Sequence, residues 1–285
     1  MWWLALLAFA GSPGVEKLIA TGNYQEALTQ LEAVEERPAA WYVQASKAYD
    51  GLNDPARAVE AVERALAIDP RFEPAHLQLG SIFLSRNTPK GALEVFTEAK
   101  ALFPESLVVR LGRGLALKEL QLYEEAESEL AACWPNALAV DSLGTIYLHL
   151  NKFSETKELA RRFIDVQPGD HRGYYFLAAA MDGLQETGAE ALLRKSLERR
   201  PDFAAAHALL GKVLLRKGQL EEAARSFESA IRYRPDLTQA HLQLAQTYRK
   251  LGRDEDAARE FEIVRKLKIE EARPKPSLRY GRGDK

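Results

Sequence analysis

The sequence repeats itself at an interval of 34 residues, and this periodicity limits the fold more than any other feature. Residues 206–211 (AHALLG) are followed 34 positions later by residues 240–245 (AHLQLA). The same offset separates three further pairs, Gly218 and Gly252, Ala223 and Ala257, and Phe227 and Phe261. A period of this length is typical of arrays in which one unit of secondary structure is copied and neighbouring copies bury a shared core. We therefore expect one elongated array instead of two globular domains.

The residues inside one repeat resemble the tetratricopeptide pattern. Between residues 204 and 235 the sequence carries, at the family's spacing, Leu210-Gly211, Ala223, Phe227, Ala230 and Pro235. The resemblance extends over residues 11–268 and implies an all-α fold, an α-solenoid in which about eight helix-turn-helix hairpins wind into a right-handed superhelix. The hairpins are expected at about residues 12–38, 39–72, 73–106, 107–136, 137–170, 171–203, 204–237 and 238–268.

Glycine, asparagine and proline mark the ends of the predicted helices. The turn inside each hairpin needs a residue that tolerates left-handed backbone angles. The candidates for these turns are Asn53, Asn87, Asn151, Gly218 and Gly252. Proline is expected to end the second helices, because it lacks the amide hydrogen and restricts the residue before it. Small residues on the first helices, namely Gly80, Gly144 and Gly211, are expected where the two helices of a hairpin cross closely.

Two segments fall outside the repeats. Residues 2–10 form an uncharged apolar run, far shorter than the roughly 20 residues that a membrane span needs. Two interpretations of residues 1–10 stay open. Ala8-Phe9-Ala10 matches the cleavage pattern of a secretory signal, which would make the protein periplasmic or secreted; alternatively, the run is an apolar cap on the first hairpin of a cytoplasmic protein. The tail, residues 269–285, is basic and contains proline and glycine, so we expect it to be disordered.

Composition and motifs argue against catalysis and against nucleic acid as the main ligand. Lys and Arg number 39 and Asp and Glu 41, a net charge of −2, whereas nucleic-acid binders usually show a basic excess. A phosphate loop, a helical zinc-protease motif and a nucleophile elbow are all missing from the sequence. His76, His207 and His241 share one repeat position, which predicts packing between hairpins. The sequence therefore predicts no enzyme, no cofactor and no metal.

The family resemblance implies a concave groove, lined by the first helices, that receives peptides or partner helices. Carried over by position, the groove candidates are Gln44, Lys47, Gln78, Ser81, Asp141, Thr145, Tyr175, Lys212, Gln243 and Gln246. Co-chaperone members of the family hold a C-terminal carboxylate with a Lys/Asn/Arg set. The position of its first Lys here holds Val43, Leu77 and Leu111, so chaperone tails are not the expected ligand.

These residues predict a non-catalytic adaptor or assembly factor that binds a protein or peptide partner. The lining of the predicted groove is mixed and mostly neutral, which favours a peptide held by amide and aromatic contacts. The alternative is a regulator linked to nucleic acid through the basic tail.

Overall fold

The computed structural model describes residues 13–273, which form sixteen α-helices and no β-strand. These sixteen helices pair into eight helix-turn-helix hairpins, and the expected all-α solenoid of helical hairpins is confirmed. The chain divides between Cys133 and Trp134 into two compact units. The first unit contains α1 (Pro13–Ala20), α2 (Tyr24–Glu32), α3 (Ala39–Gly51), α4 (Pro55–Ile68), α5 (Glu73–Ser85), α6 (Pro89–Leu102), α7 (Leu107–Glu119) and α8 (Tyr123–Ala131). The second contains α9 (Ala137–His149), α10 (Phe153–Val166), α11 (His171–Gly183), α12 (Ala189–Arg199), α13 (Ala204–Arg216), α14 (Leu220–Tyr233), α15 (Thr238–Lys250) and α16 (Asp254–Glu271).

The turn inside each hairpin contains a residue with a positive φ angle, and the turn of the sixth hairpin contains two, Gln185 and Gly188. The five predicted residues are among them, with φ between 54° and 76°: Asn53, Asn87, Asn151, Gly218 and Gly252. The fourth and sixth hairpins use Gln121 and Gln185 instead, at 61° and 59°. Glutamine is not a usual left-handed residue, and these two turns were therefore not predicted. The repeated packing of the flanking helices sets the turn geometry even where the local residue opposes it.

Glycine permits close packing on the first helices, but the ring that lies against it differs between the third and the fifth hairpins. In the first unit the ring of Phe96 lies against both Gly80 and Gly112, where an added Cβ atom would overlap the ring. In the second unit the residues 64 positions later are Ala160, Gly144 and Phe176. Here the ring that fills the space against Gly144 is that of Phe176, from the first helix of the next hairpin. The position of Phe96 is thus occupied by Ala160, and the position of Gly112 by Phe176.

The two ends of the predicted array lie close to the limits of the described residues. The predicted array ends at about residue 268, and α16 runs to Glu271. The helix stops shortly before Pro274, because proline disfavours helical angles in the residue before it. The proposed signal or cap at residues 1–10, and residues 274–285 of the tail, lie outside the described residues. None of the described helices is both long and apolar enough to cross a membrane.

Candidate functional site

All ten predicted groove residues lie on the first helices of their hairpins. Four belong to the first unit: Gln44 and Lys47 on α3, and Gln78 and Ser81 on α5. Six belong to the second unit: Asp141 and Thr145 on α9, Tyr175 on α11, Lys212 on α13, and Gln243 and Gln246 on α15. Five of the ten, Lys47, Ser81, Thr145, Lys212 and Gln246, are exposed, and the others are half-buried.

Several of these side chains already contact their own array. In the first unit, Gln44 Nε2 donates to Glu16 Oε1 at 3.2 Å and so joins α3 to α1. In the second unit, Arg172 Nε lies 3.8 Å from Asp141 Oδ1, and Thr145 Oγ1 donates to the backbone oxygen of Asp141 at 2.8 Å. These contacts join neighbouring helices or stay within one helix, and a ligand at these positions would have to compete with them.

The structure brings three of the predicted residues together around one pocket of the second unit. Tyr175, Lys212 and Gln243 line a cavity of about 420 Å³ between α11, α13, α14 and α15. The remaining lining residues are Ala205, Ala208, Leu209, Phe227, Arg234, Leu237, Gln239 and Ala240. Alanine and leucine make up five of the eleven lining residues, and Lys212, Arg234, Gln239 and Gln243 add polar groups. This volume lies within the range of about 300–1,000 Å³ that is usual for ligand pockets.

Tyr175 forms a fixed aromatic wall of this pocket. Its ring packs edge-on against Phe203 and Phe176, with ring centroids 5.0 and 5.1 Å away. Burial raises the pKa of the Tyr175 phenol, and the negative charge of Asp141 raises it further, while Arg234 opposes the shift. The phenol therefore stays neutral at physiological pH and presents one hydroxyl that can both donate and accept.

Lys212 is held in place by an acid that the sequence reasoning missed. Lys212 Nζ donates to Asp182 Oδ2 at 3.2 Å, and Arg216 pairs with the other oxygen of the same carboxylate. The Asp182 side chain is only 5% exposed, whereas that of Lys212 is 56% exposed. The repeat contains a second example of this pairing: Asp50, at the equivalent position of the second hairpin, pairs with Arg86 at 2.9 Å.

The three histidines that share a repeat position make one repeated structural bond. Nε2 of His76, His207 and His241 lies 3.0, 2.8 and 2.9 Å from the backbone oxygen of the proline six residues earlier. In the sixth hairpin the hydroxyl of Tyr174 donates to the backbone oxygen of Pro168 at 3.1 Å in the same way. Since a backbone oxygen only accepts, Nε2 carries the hydrogen. The bond fastens the start of each first helix to the end of the preceding hairpin.

Comparison with known proteins gives a family over most of the chain. The tetratricopeptide repeat family matches residues 16–70, 43–106, 187–236 and 209–274, which together exceed half of the sequence. Among curated proteins, the human Protein O-mannosyl-transferase TMTC3 is 25% identical over 185 residues, 60% of this chain and 20% of that protein. The Type IV pilus assembly protein PilF of Pseudomonas aeruginosa is 28% identical over 160 residues, 54% of this chain and 63% of PilF. The chain therefore spans less than two thirds of either relative.

Solved structures share the fold at low sequence identity. A tetratricopeptide repeat protein from Parabacteroides merdae superposes with a TM-score of 0.66 at 17% identity, covering 82% of this chain and 96% of that one. The APC/C hetero-tetramer Cut9–Hcn1 gives the same score at 16% identity, covering 82% of this chain and 48% of the other. Because the family match covers more than half of the sequence, the chain belongs to the tetratricopeptide repeat family, whose arrays serve as scaffolds for protein–protein interaction.

Proposed function

We propose that this chain is a non-catalytic adaptor that binds a segment of a partner protein on the first helices of its second unit. The observation that carries the proposal is the pocket that Tyr175, Lys212 and Gln243 line together with alanine, leucine and phenylalanine side chains. The pocket takes one anchoring side chain of the partner, and the neighbouring first-helix surface holds the flanking peptide.

The lining of the pocket defines the kind of segment that it fits. Leu209, Phe227 and Leu237 suit an apolar side chain, whose burial contributes about 1.5–3 kcal/mol. The amides of Gln239 and Gln243 offer both donors and acceptors, which suits an extended peptide backbone. Lys212 and Arg234 place positive charge at the rim. An apolar anchor next to an acidic residue is therefore the preferred ligand.

The chemistry of the pocket supports binding over catalysis. Lys212 is paired with Asp182, and burial raises the pKa of the Tyr175 phenol, so neither group is activated as a base or nucleophile. The comparisons support an assembly role: PilF is named as a pilus assembly protein, and Cut9–Hcn1 is a hetero-tetramer. We assign the same general role, an adaptor in the assembly of a protein complex, to this chain.

Photo-crosslinking in the native cell tests this proposal. A photoreactive residue at the exposed Gln246, one turn from Gln243, is expected to capture a partner. Ala208→Arg, which fills the pocket, and Tyr175→Ala, which removes its wall, should each reduce capture by about tenfold or more, as expected for loss of a central anchor. The matched control is Ala258→Arg, at an exposed helical alanine of α16 in the same unit. Equal capture by the Ala208→Arg and Ala258→Arg proteins, both with unchanged helicity, would refute the proposal.

A further inference from the structure

Three cations surround one buried carboxylate in the first unit. The carboxylate of Glu129 on α8 forms ion pairs with Lys100 of α6 and with Arg110 and Arg113 of α7. Its Oε1 accepts from Lys100 Nζ and from Arg113 Nη1 at 2.6 Å, and its Oε2 accepts from Arg110 Nε at 3.0 Å. These four residues are called the Glu129 cluster below.

The charges of the Glu129 cluster do not balance. Burial acts to raise the pKa of Glu129, but hydrogen bonds from Lys100 and Arg110 outweigh it and the pKa is lowered, so the carboxyl is ionised at neutral pH. Among the residues that the structure describes, Glu129 is the carboxylate partner of all three cations. One negative charge against three positive charges leaves an excess of two positive charges in the cluster.

The excess charge faces solvent. The Glu129 side chain is 5% exposed, whereas those of Lys100, Arg110 and Arg113 are 35%, 30% and 23% exposed. Arg110 bonds Glu129 through Nε, and Arg113 uses Nη1 on Glu129 and Nε on Thr97 Oγ1 at 3.3 Å. A guanidinium group has five N–H donors, and donors on both arginines therefore remain for a ligand. Glu129 lies beneath and fixes their orientation.

The repeat shows that the fold does not require these cations. The residues 97 positions after Thr97, Lys100, Arg110, Arg113 and Glu129 are Arg194, Leu197, His207, Leu210 and Ser226. In the second unit these five residues line a groove of about 530 Å³ across α12, α13 and α14. The same helix packing thus forms with leucine in place of Lys100 and Arg113, histidine in place of Arg110 and serine in place of Glu129. A buried carboxylate needs a partner, but one carboxylate does not account for three cations.

We propose that the Glu129 cluster binds a doubly charged oxyanion, the phosphate monoester of a phosphorylated side chain on a partner protein. A phosphate monoester carries a charge of about −1.5 to −2 at pH 7, which matches the excess of the cluster, whereas a carboxylate carries only one. Arginine forks bind phosphate oxygens in pairs, and lysine adds a point charge. This site lies on α6, α7 and α8 of the first unit and uses none of the residues of the Tyr175 pocket.

The test follows the Nε–Hε signals of Arg110 and Arg113 in the nuclear magnetic resonance spectrum of the full chain, at constant ionic strength. The probes are an acetylated Ala-Ala-phosphoserine-Ala-Ala peptide, its glutamate counterpart and inorganic phosphate. We expect saturable shifts with the phosphopeptide and with phosphate, and at least tenfold weaker binding of the glutamate peptide. Lys100→Gln, at the most exposed member of the cluster, should weaken phosphopeptide binding about tenfold, the loss expected for one charge-assisted hydrogen bond.

The matched control is Arg194→Gln, which removes a cation from the equivalent groove of the second unit and should leave binding unchanged. Circular dichroism checks that both variants keep their helicity. Three results would each overturn the proposal: no saturable shift with the phosphopeptide, equal binding by the Lys100→Gln and Arg194→Gln proteins, or equal binding of the glutamate peptide. Binding of inorganic phosphate without the phosphopeptide would also overturn it, because the ligand would then not be carried by a protein.

Discussion

At the scale of single residues, this chain departs most from its own repeat at Glu129. The residues equivalent to Glu129, Arg113 and Arg110 in the seventh hairpin are Ser226, Leu210 and His207, so the acidic side chain and its cations occur together only in the earlier hairpin and depend on one another. Removing the carboxylate would leave three neighbouring cations without the negative charge that all of them contact, and breaking a buried ion pair in this way is more costly than never having formed it.

Glu129→Gln is therefore expected to lower the free energy of unfolding at pH 7 by about 3 kcal/mol, as measured by urea denaturation. The pKa of Glu129 is lowered in the folded protein, so the unfolded chain binds its proton first as the pH falls. The stabilisation by Glu129 is complete above the ordinary carboxyl pKa of about 4.3 and is lost as the pH falls through the lower folded value. The difference in unfolding free energy between wild type and variant should shrink over the same pH range.

The control, Glu125→Gln, changes an exposed carboxylate on the same helix and should lower the free energy of unfolding far less. A constant difference down to the acid limit would contradict this account.

At the scale of helices and hairpins, the register is the property that the sequence predicts well. The periodicity of small, aromatic and proline residues was sufficient to predict the eight hairpins, because each of these residue types recurs at the same position of the repeat. It was not sufficient for Gln121 and Gln185, whose positive φ angles follow from the packing of the helices on either side. Nor was it sufficient for Asp182, because its pairing with Lys212 and Arg216 crosses between hairpins. The groove candidates, which follow from register alone, stay predictions.

The exchange between Phe96 and Phe176 gives a test of packing between hairpins. Phe96→Ala alone should cost about 3–5 kcal/mol by leaving a cavity, and Gly112→Phe alone should also destabilise, because its side chain would overlap the ring of Phe96. The double variant reproduces the arrangement of Ala160 and Phe176 in the second unit. Urea denaturation should show it more stable than the sum of the single effects by more than about 1 kcal/mol. Additive effects would mean that the two rings do not fill equivalent spaces.

At the scale of the whole molecule, average properties conceal both candidate binding surfaces. The net charge of −2 gives no hint of the cations of the Glu129 cluster, because acidic residues elsewhere in the chain cancel them in the sum. The Tyr175 pocket likewise depends on where a few alanines fall on α13 and α15, and composition does not report this. In a repeat protein the shared framework is set by residues that recur, and specific binding must therefore come from residues that do not.

The central claim, that a partner segment binds in the Tyr175 pocket, is tested most directly by hydroxyl-radical footprinting of the protein with and without the partner captured at Gln246. We predict that oxidation of Tyr175 and Leu209 falls several-fold in the complex, while oxidation of Tyr233, an exposed aromatic of the same unit that does not line the pocket, stays constant. Unchanged oxidation of Tyr175 and Leu209 in a saturated complex would contradict the claim.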